Sequence, residues 1–307
     1  TDALMISMKA LGIGPGDEVI TCPNTFVATV GAIVAVGAKP VFVDVGPDYL
    51  MKRYPQFDVF TRRTKAIIPV DLTGRPTNIY GASFLALGED RPYIIRDACQ
   101  SIGALCNGKS PAQINDLTAY SLHPLKNVHA CGDGGMIVTD NDGWAEWIRL
   151  YRNHGLKDRD TVVMPGINSR LDTLQAIAGW HILQDVERIT TRRNKNATQY
   201  REGLAGIEQL TLPPIDSTIR QAYHTFVILV ERRDELKAWL LEHGIGAAIH
   251  YPVPVHLQPG YAFLGYKRGD FPNVEYQADH QISLPIHEYL KEEQIEYVVE
   301  QIRAFYA

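Results

Sequence analysis

The sequence predicts an α/β fold, with a mostly parallel central sheet flanked by helices and a smaller α+β domain behind it. Three observations predict this. In the first half, short β-branched runs alternate with helical patterns. Several of those runs are apolar without alternation, as expected of strands covered on both faces. From about residue 195 the rhythm changes to a strand, a capped helix, a further run and a closing amphipathic helix. The domains are therefore placed at residues 1–194 and 195–307.

Taken in order, the chain opens with Leu4, Met8 and Leu11 at helical spacing. It has no initiator Met and is already in a helical pattern, so its natural N-terminus is expected to be missing. Strands are expected in EVITCP (18–23), PVFVDV (40–45), AIIPVDL (66–72), YIIRDA (93–98), LTAYSLH (117–123) and GMIVTD (135–140). The stretch from Val19 to Ala38 lacks charge and is about long enough to cross a bilayer. Pro23, Asn24 and Thr25 interrupt it, so it reads as a buried strand followed by a buried helix. Residues 171–204 read as one long helix with Leu171, Leu174, Ile177, Ala178, Ile182, Val186 and Ile189 on one stripe. Beyond it, YHTFVILVE is a strand, RRDELKAWLLEHGIG a helix closed by Gly244, GAAIHYP a strand and KEEQIEYVVEQIRAFY a final helix.

Composition excludes several function classes. The 307 residues carry a net charge of -5, with no basic block or basic-aromatic ladder for nucleic acid. Nothing calls for a membrane. The four cysteines show no paired spacing, which points to a reducing, cytoplasmic compartment. His123, His129 and Cys131 lack the rhythm of a metal site, and no GxSxG elbow marks a hydrolase.

Ligands of open α/β sheets sit outside the carboxyl ends of the strands, so the strand endings were compared. YIIRDA delivers Asp97, with Gln100 three residues on; Asp97 either caps the next helix or meets a cationic or N–H partner. LTAYSLH delivers Ser121 and then Lys126, which is either solvated or a desolvated amine able to act as a nucleophile. GDGG (132–135) is a tight turn and only a weak phosphate signal. Thr1 and Asp2 stand at a helix start, where free N–H groups cap the helix or attract an anion. Phe26 follows a strand and either stacks on a planar ligand or fills the core. HYPVPVHLQPGY (250–261) suits an extended wall of a cleft. An amine, a carboxylate, an aromatic face and phosphate donors are together the parts that pyridoxal phosphate asks for.

These residues lie in an ordered series of blocks that includes TDAL, NTFVAT, GAKPVFVDV, DACQSIGA, SLHPLKN, GDGGMIVT, GINSRLDTLQA, IHYPVPVHLQPGY and GDFPNVE. The series resembles the DegT/StrS-like family of pyridoxal-phosphate-dependent sugar aminotransferases, of the aspartate-aminotransferase fold type I, over essentially the whole chain. The resemblance implies that Lys126 is the Schiff-base lysine and that Asp97 pairs with the pyridinium nitrogen. It implies that Gln100 faces the phenolic oxygen, that Phe26 stacks on the ring, and that Thr1, Asp2 and Ser121 contact the phosphate. Asn168 would reach the phosphate from a neighbouring subunit, which requires at least a homodimer with shared sites; His250 and Tyr251 would face substrate.

The implied reaction is a ping-pong transamination. An amino acid, usually glutamate, gives its amino group, and a keto-sugar, normally nucleotide-linked, receives it to become an amino-sugar for glycan or secondary-metabolite biosynthesis. A dehydratase of the same fold would carry histidine in place of Lys126, and a regulatory or sensor relative would need neither Lys126 nor Asp97. Two departures stand out. Asp71-Leu72-Thr73-Gly74 replaces the family's frequent His-Leu-Tyr-Gly, and Arg96-Asp97-Ala98-Cys99 replaces Glu-Asp-Ala-Ala.

Overall fold

The computed structural model describes residues 1–52, 59–78 and 91–307. In the first half, α1 (Asp2–Ala10) leads to β1 (Glu18–Thr21), α2 (Val27–Ala35), β2 (Lys39–Phe42), β3 (Thr64–Ile67) and β4 (Tyr93–Asp97). Then come β5 (Leu105–Cys106), β6 (Leu117–Ser121), β7 (Gly135–Val138) and α3 (Asp142–Tyr151). Six of the strands form one sheet in the order β2-β1-β3-β4-β6-β7. Its pairs are parallel from β2 to β6, and β7 closes the edge antiparallel to β6. The Val19–Ala38 stretch forms β1 and α2, and among the described residues no helix is long and apolar enough to cross a membrane.

Successive residues along these strands feed two different cores, because side chains alternate across a sheet. Val19, Ala66, Ile68, Ile95 and Leu117 face a core completed by Leu4 and Met8 of α1 and Ile33 of α2. Their neighbours Ile20, Ile67 and Ile94 face a second core, completed by Phe42 and, from the C-terminal third, Val255, Phe271 and Val274. That double burial explains the unbroken apolar runs; each fully buried Val or Ile contributes about 1.5–3 kcal/mol.

The expected long helix over 171–204 is two helices, α4 (Thr173–Leu183) and α5 (Val186–Leu204). The backbone tightens at the break, where Asp185 N–H donates to the Ile182 carbonyl, and the Asp185 carboxylate turns to Arg188. The break takes the predicted stripe apart. Ile189 is buried, whereas Leu174 and Ile177 are 74% and 60% exposed.

After α5 come β8 (Leu210–Thr211), β9 (Ile219–Arg220), β10 (Phe226–Val230) and α6 (Arg233–Glu242), then α7 (Pro272–His280), β11 (Gln281–Leu284) and α8 (Glu292–Tyr306). A second sheet, β11-β10-β8, packs through Phe226, Ile228 and Ile282 on Tyr200 of α5, Leu240 of α6 and Ile302 of α8. The expected strand in GAAIHYP is only a bridge between Ala248 and Ser283. Beyond the bridge the side chain of His250 turns back to β11, with its Nδ1 2.9 Å from Ser283 Oγ.

Candidate active site

The carboxyl ends of β1, β3, β4 and β6 lie along one edge of the large sheet and are tied together by backbone bonds. Ile68 N–H donates to the Ile20 carbonyl (2.7 Å), Asp97 N–H to Pro69 (2.9 Å) and Ala98 N–H to Ala119 (2.9 Å). The loops that leave these ends carry Phe26, Asp71–Gly74, Asp97–Gln100 and Ser121–Lys126. Three of the loaded strand endings in the sequence, those after β1, β4 and β6, thus share one edge.

Asp97 is 6% exposed. Its Oδ2 accepts from Thr29 Oγ1 at 2.7 Å and its Oδ1 from the Cys99 N–H at 3.2 Å. Thr25 and Thr29 hydroxyls are 2.7 Å apart; since Thr29 gives its hydrogen to Asp97, Thr25 donates to Thr29. This relay of neutral donors holds the carboxylate, yet among the described residues no cation lies within ion-pair distance of it. An unpaired buried charge is costly, so Asp97 fits a ligand that brings a cationic N–H.

Lys126 is half-buried, and its amine makes no hydrogen bond or ion pair among the described residues. Burial pushes its pKa below the ordinary lysine value, against the opposing pull of Cys99 and Asp97. Desolvation thereby favours the neutral amine, the form that attacks a carbonyl or takes a proton.

Gln100 and Tyr251 form a wall of the site. Gln100 Oε1 accepts from the Thr73 N–H at 2.7 Å, which fixes the amide and leaves its NH₂ to donate. Tyr251 lies near enough for burial, Asp97 and Gln100 to set its phenol, which is pushed up to about 12 and stays neutral. Phe26 is 55% exposed, with its ring 5.9 Å from that of Tyr251, so it does not fill the core. Burial first and Lys126 second lower the His250 pKa, which keeps the imidazole neutral beside the amine.

The residues expected at a phosphate are partly assembled. α1 packs against β6 and β7, which sets its free N–H groups near Ser121. A Cβ at Gly135 would stand 3.0 Å from the Tyr120 carbonyl, so a glycine at the start of β7 eases its close approach to β6. Thr1 caps no N–H of the helix with its side chain, and Asp2 Oδ2 accepts from Ser169 Oγ. Ser121 Oγ accepts from the His123 N–H. Asn168 stands apart on the surface, its amide oxygen accepting from Arg170 Nε at 2.9 Å.

Sequence reading missed three neighbours. Thr29 holds Asp97, and the Thr25/Thr29 spacing of one helical turn was its only signal. Cys99 sits beside Asp97 with a thiol raised well above the usual range by burial and then by that carboxylate, so it is inert. His224 is brought in by the turn at Gly74, where an added Cβ would strike the backbone nitrogens of Tyr223 and His224 at 2.9 and 2.8 Å. Burial, then Lys126, keep its imidazole well below the usual range, and its Nδ1 lies 3.4 Å from Asn127 Oδ1. Among the described residues no three His, Cys, Asp or Glu side chains gather as a metal site.

A model of the DegT/DnrJ/EryC1/StrS aminotransferase family matches residues 1–303. A pleiotropic regulatory protein of Geobacillus stearothermophilus is 42% identical, over 100% of this chain and 83% of its own. The dTDP-3-amino-3,4,6-trideoxy-alpha-D-glucose transaminase of Streptomyces venezuelae is 37% identical, over 98% of this chain and 80% of the relative. A crystal structure of S. venezuelae DesV in complex with a ketimine intermediate matches with a TM-score of 0.94 at 36% identity, covering 99% of this chain and 82% of that one.

Proposed function

The chain belongs to the DegT/DnrJ/EryC1/StrS aminotransferase family, whose members depend on pyridoxal phosphate, and from that premise we propose that it aminates a nucleotide-linked keto-sugar. The amino group would come from an amino acid, with L-glutamate as the first candidate. The single observation that carries the reading is the pairing of a desolvated Lys126 with a buried Asp97 on adjoining strand ends, neither with an ion-pair partner among the described residues.

The residues fit the cofactor. Lys126 would bond its aldehyde carbon, Asp97 would hold the proton on its ring nitrogen and Phe26 would cover one ring face. Gln100 would donate to its phenolic oxygen, and Thr1, Asp2 and Ser121 would hold its phosphate at the α1 N-terminus. When bound, pyridoxal phosphate supplies a carbonyl to carry the amino group and a ring to accept the electron pair left on the substrate carbon. Lys126 takes the proton from the α-carbon of the amino donor and, in the second half-reaction, returns a proton to the sugar carbon. Burial lowers its pKa, which raises the share of neutral amine that can take the first proton and makes the protonated amine a readier donor of the second. His250 and Tyr251 would line the sugar side as neutral hydrogen-bonding groups. A dehydratase calls for histidine where Lys126 stands, and a sensor leaves Lys126 and Asp97 without work. Cys22, Cys99 and Cys131 form no disulfide, which suits work in the cytoplasm.

We also propose a homodimer with shared sites. Leu174, Ile177 and Trp180, three residues apart on α4, are 74%, 60% and 67% exposed, an apolar stripe suited to a second copy. Asn168 lies on the surface just ahead of it and would complete the partner's phosphate site. Asn168→Ala should lose cofactor readily, and so should not work alone. Mixed with an inactive Lys126→Met protein, it should regain activity at hybrid sites, read as turnover against mixing ratio. A strictly additive mixture would refute sharing.

The test of the reaction is the near-visible absorption spectrum with pyridoxal phosphate, before and after L-glutamate. The cofactor band should appear on binding and shift to the pyridoxamine form on adding glutamate. A band that no amino acid shifts would overturn the aminotransferase reading.

A further inference from the structure

Asp71 and Arg96 are both 0% exposed in their side chains, with Arg96 Nη1 2.7 Å from Asp71 Oδ1. Asp71 Oδ1 also accepts from the Thr77 N–H (2.8 Å), and its Oδ2 from Ser101 Oγ (2.7 Å). Arg96 donates further to the Thr77 carbonyl and Asn115 Oδ1, while its Nη2 has no partner among the described residues. Burial pushes the Asp71 carboxyl up and Arg96 pulls it back down. Such a pair is weak evidence for stability, since well-packed apolar side chains often serve as well. Its placement suggests a different use.

Each partner is one residue from the site. Arg96 precedes Asp97 on β4, and the Asp71 N–H donates to the Asp97 carbonyl at 3.0 Å. Two residues after Asp71, the Thr73 N–H fixes Gln100 Oε1, and it does so from φ +64°, a left-handed position that a β-branched residue rarely holds. On the other side, Asp71 Oδ2 holds Ser101, the residue after Gln100.

We propose that Asp71 and Arg96 are a single buried charge pair that positions Asp97 and Gln100 against the cofactor. The proposal rests on the cofactor reading above and deepens it. Neither residue touches the cofactor; both act through the strand ends and the Leu72–Gly74 turn.

The test compares Asp71→His, Arg96→Glu and the double variant D71H/R96E in the full chain. Each is measured for cofactor affinity by absorbance titration, for the pH midpoint of the bound cofactor's absorption, and for unfolding of the apo protein. Each single variant places like charges, or an uncompensated charge, in a dry site and should weaken cofactor binding by about tenfold or more. The pH midpoint should move with it, because Asp97 is displaced. The double variant should return affinity to within about fivefold of the parent, the coupling expected of residues in contact. If the single variants do not fold, the double decides alone: binding near the parent's supports the pair, and no better recovery than the singles overturns it. Singles that lower only the unfolding temperature, with affinity and pH midpoint unmoved, would also overturn it. A parent that binds no cofactor would sink the functional reading as well; a binding parent whose double variant fails sinks the pair alone.

Discussion

Lys126→Met should abolish amine exchange with glutamate while stabilising the apo protein at neutral pH. The loss should be about 10³-fold or more, because in the proposed reaction one amine would serve as both covalent anchor and general base, and a general base alone contributes roughly 10²–10⁴-fold. The stability change has the opposite sign and follows from the lowered pKa. Unfolding lets Lys126 take up a proton that burial disfavours, so the unfolded state binds more protons and stability rises with pH. The penalty is full below the folded-state pKa and vanishes above the ordinary lysine value of about 10.4. The variant should therefore unfold at a higher temperature than the parent at pH 7, and the gap should close as pH rises toward that value. Single-turnover absorbance with glutamate and thermal scans across pH measure both effects. A variant that keeps substantial exchange would remove Lys126 from its role; equal stability at every pH would mean the amine is not desolvated.

Asp97→Asn should bind cofactor and lose about 10²–10³-fold in turnover, the usual cost of removing one preorganised electrostatic group. The substitution keeps the shape that Thr29 and the Cys99 N–H surround, but it cannot hold a proton on the ring nitrogen by charge. The effect should fall on the rate rather than on the donor's KM, since the lost interaction matters most where negative charge builds up. Steady-state kinetics with glutamate separate the two. A rate within threefold of the parent would refute the ring-nitrogen assignment.

The fold was legible where burial leaves a one-dimensional mark. Val19 and Ile20, or Ile94 and Ile95, are apolar neighbours that face opposite cores, and a run without alternation says so directly. The helix over 171–204 was misread because its break at Asp185 involves no Gly or Pro, and because exposed Leu174 and Ile177 look in sequence like core residues. The strand endings pointed to Asp97, Ser121 and Lys126, since parallel strands put their carboxyl ends on one side. Contacts made across the sheet left no such mark. Thr29 reaches Asp97 across 68 positions, His224 arrives beside Lys126 only through the turn at Gly74, and the Asp71–Arg96 pair appeared in sequence as two unrelated departures.

Residues Val255, Phe271 and Val274 cover one face of a sheet whose strands all lie before residue 140, and Asn273 bonds the Val45 carbonyl across 228 positions. Such distant closure makes for slow folding, because the entropy of joining the ends is spent before the contacts form. During synthesis the sheet must wait, with Ile20, Ile67 and Ile94 uncovered, until the chain beyond residue 274 has left the ribosome. At roughly 5–20 residues per second that is a delay of several seconds with an apolar face open to water, the interval in which aggregation competes and a chaperone would act.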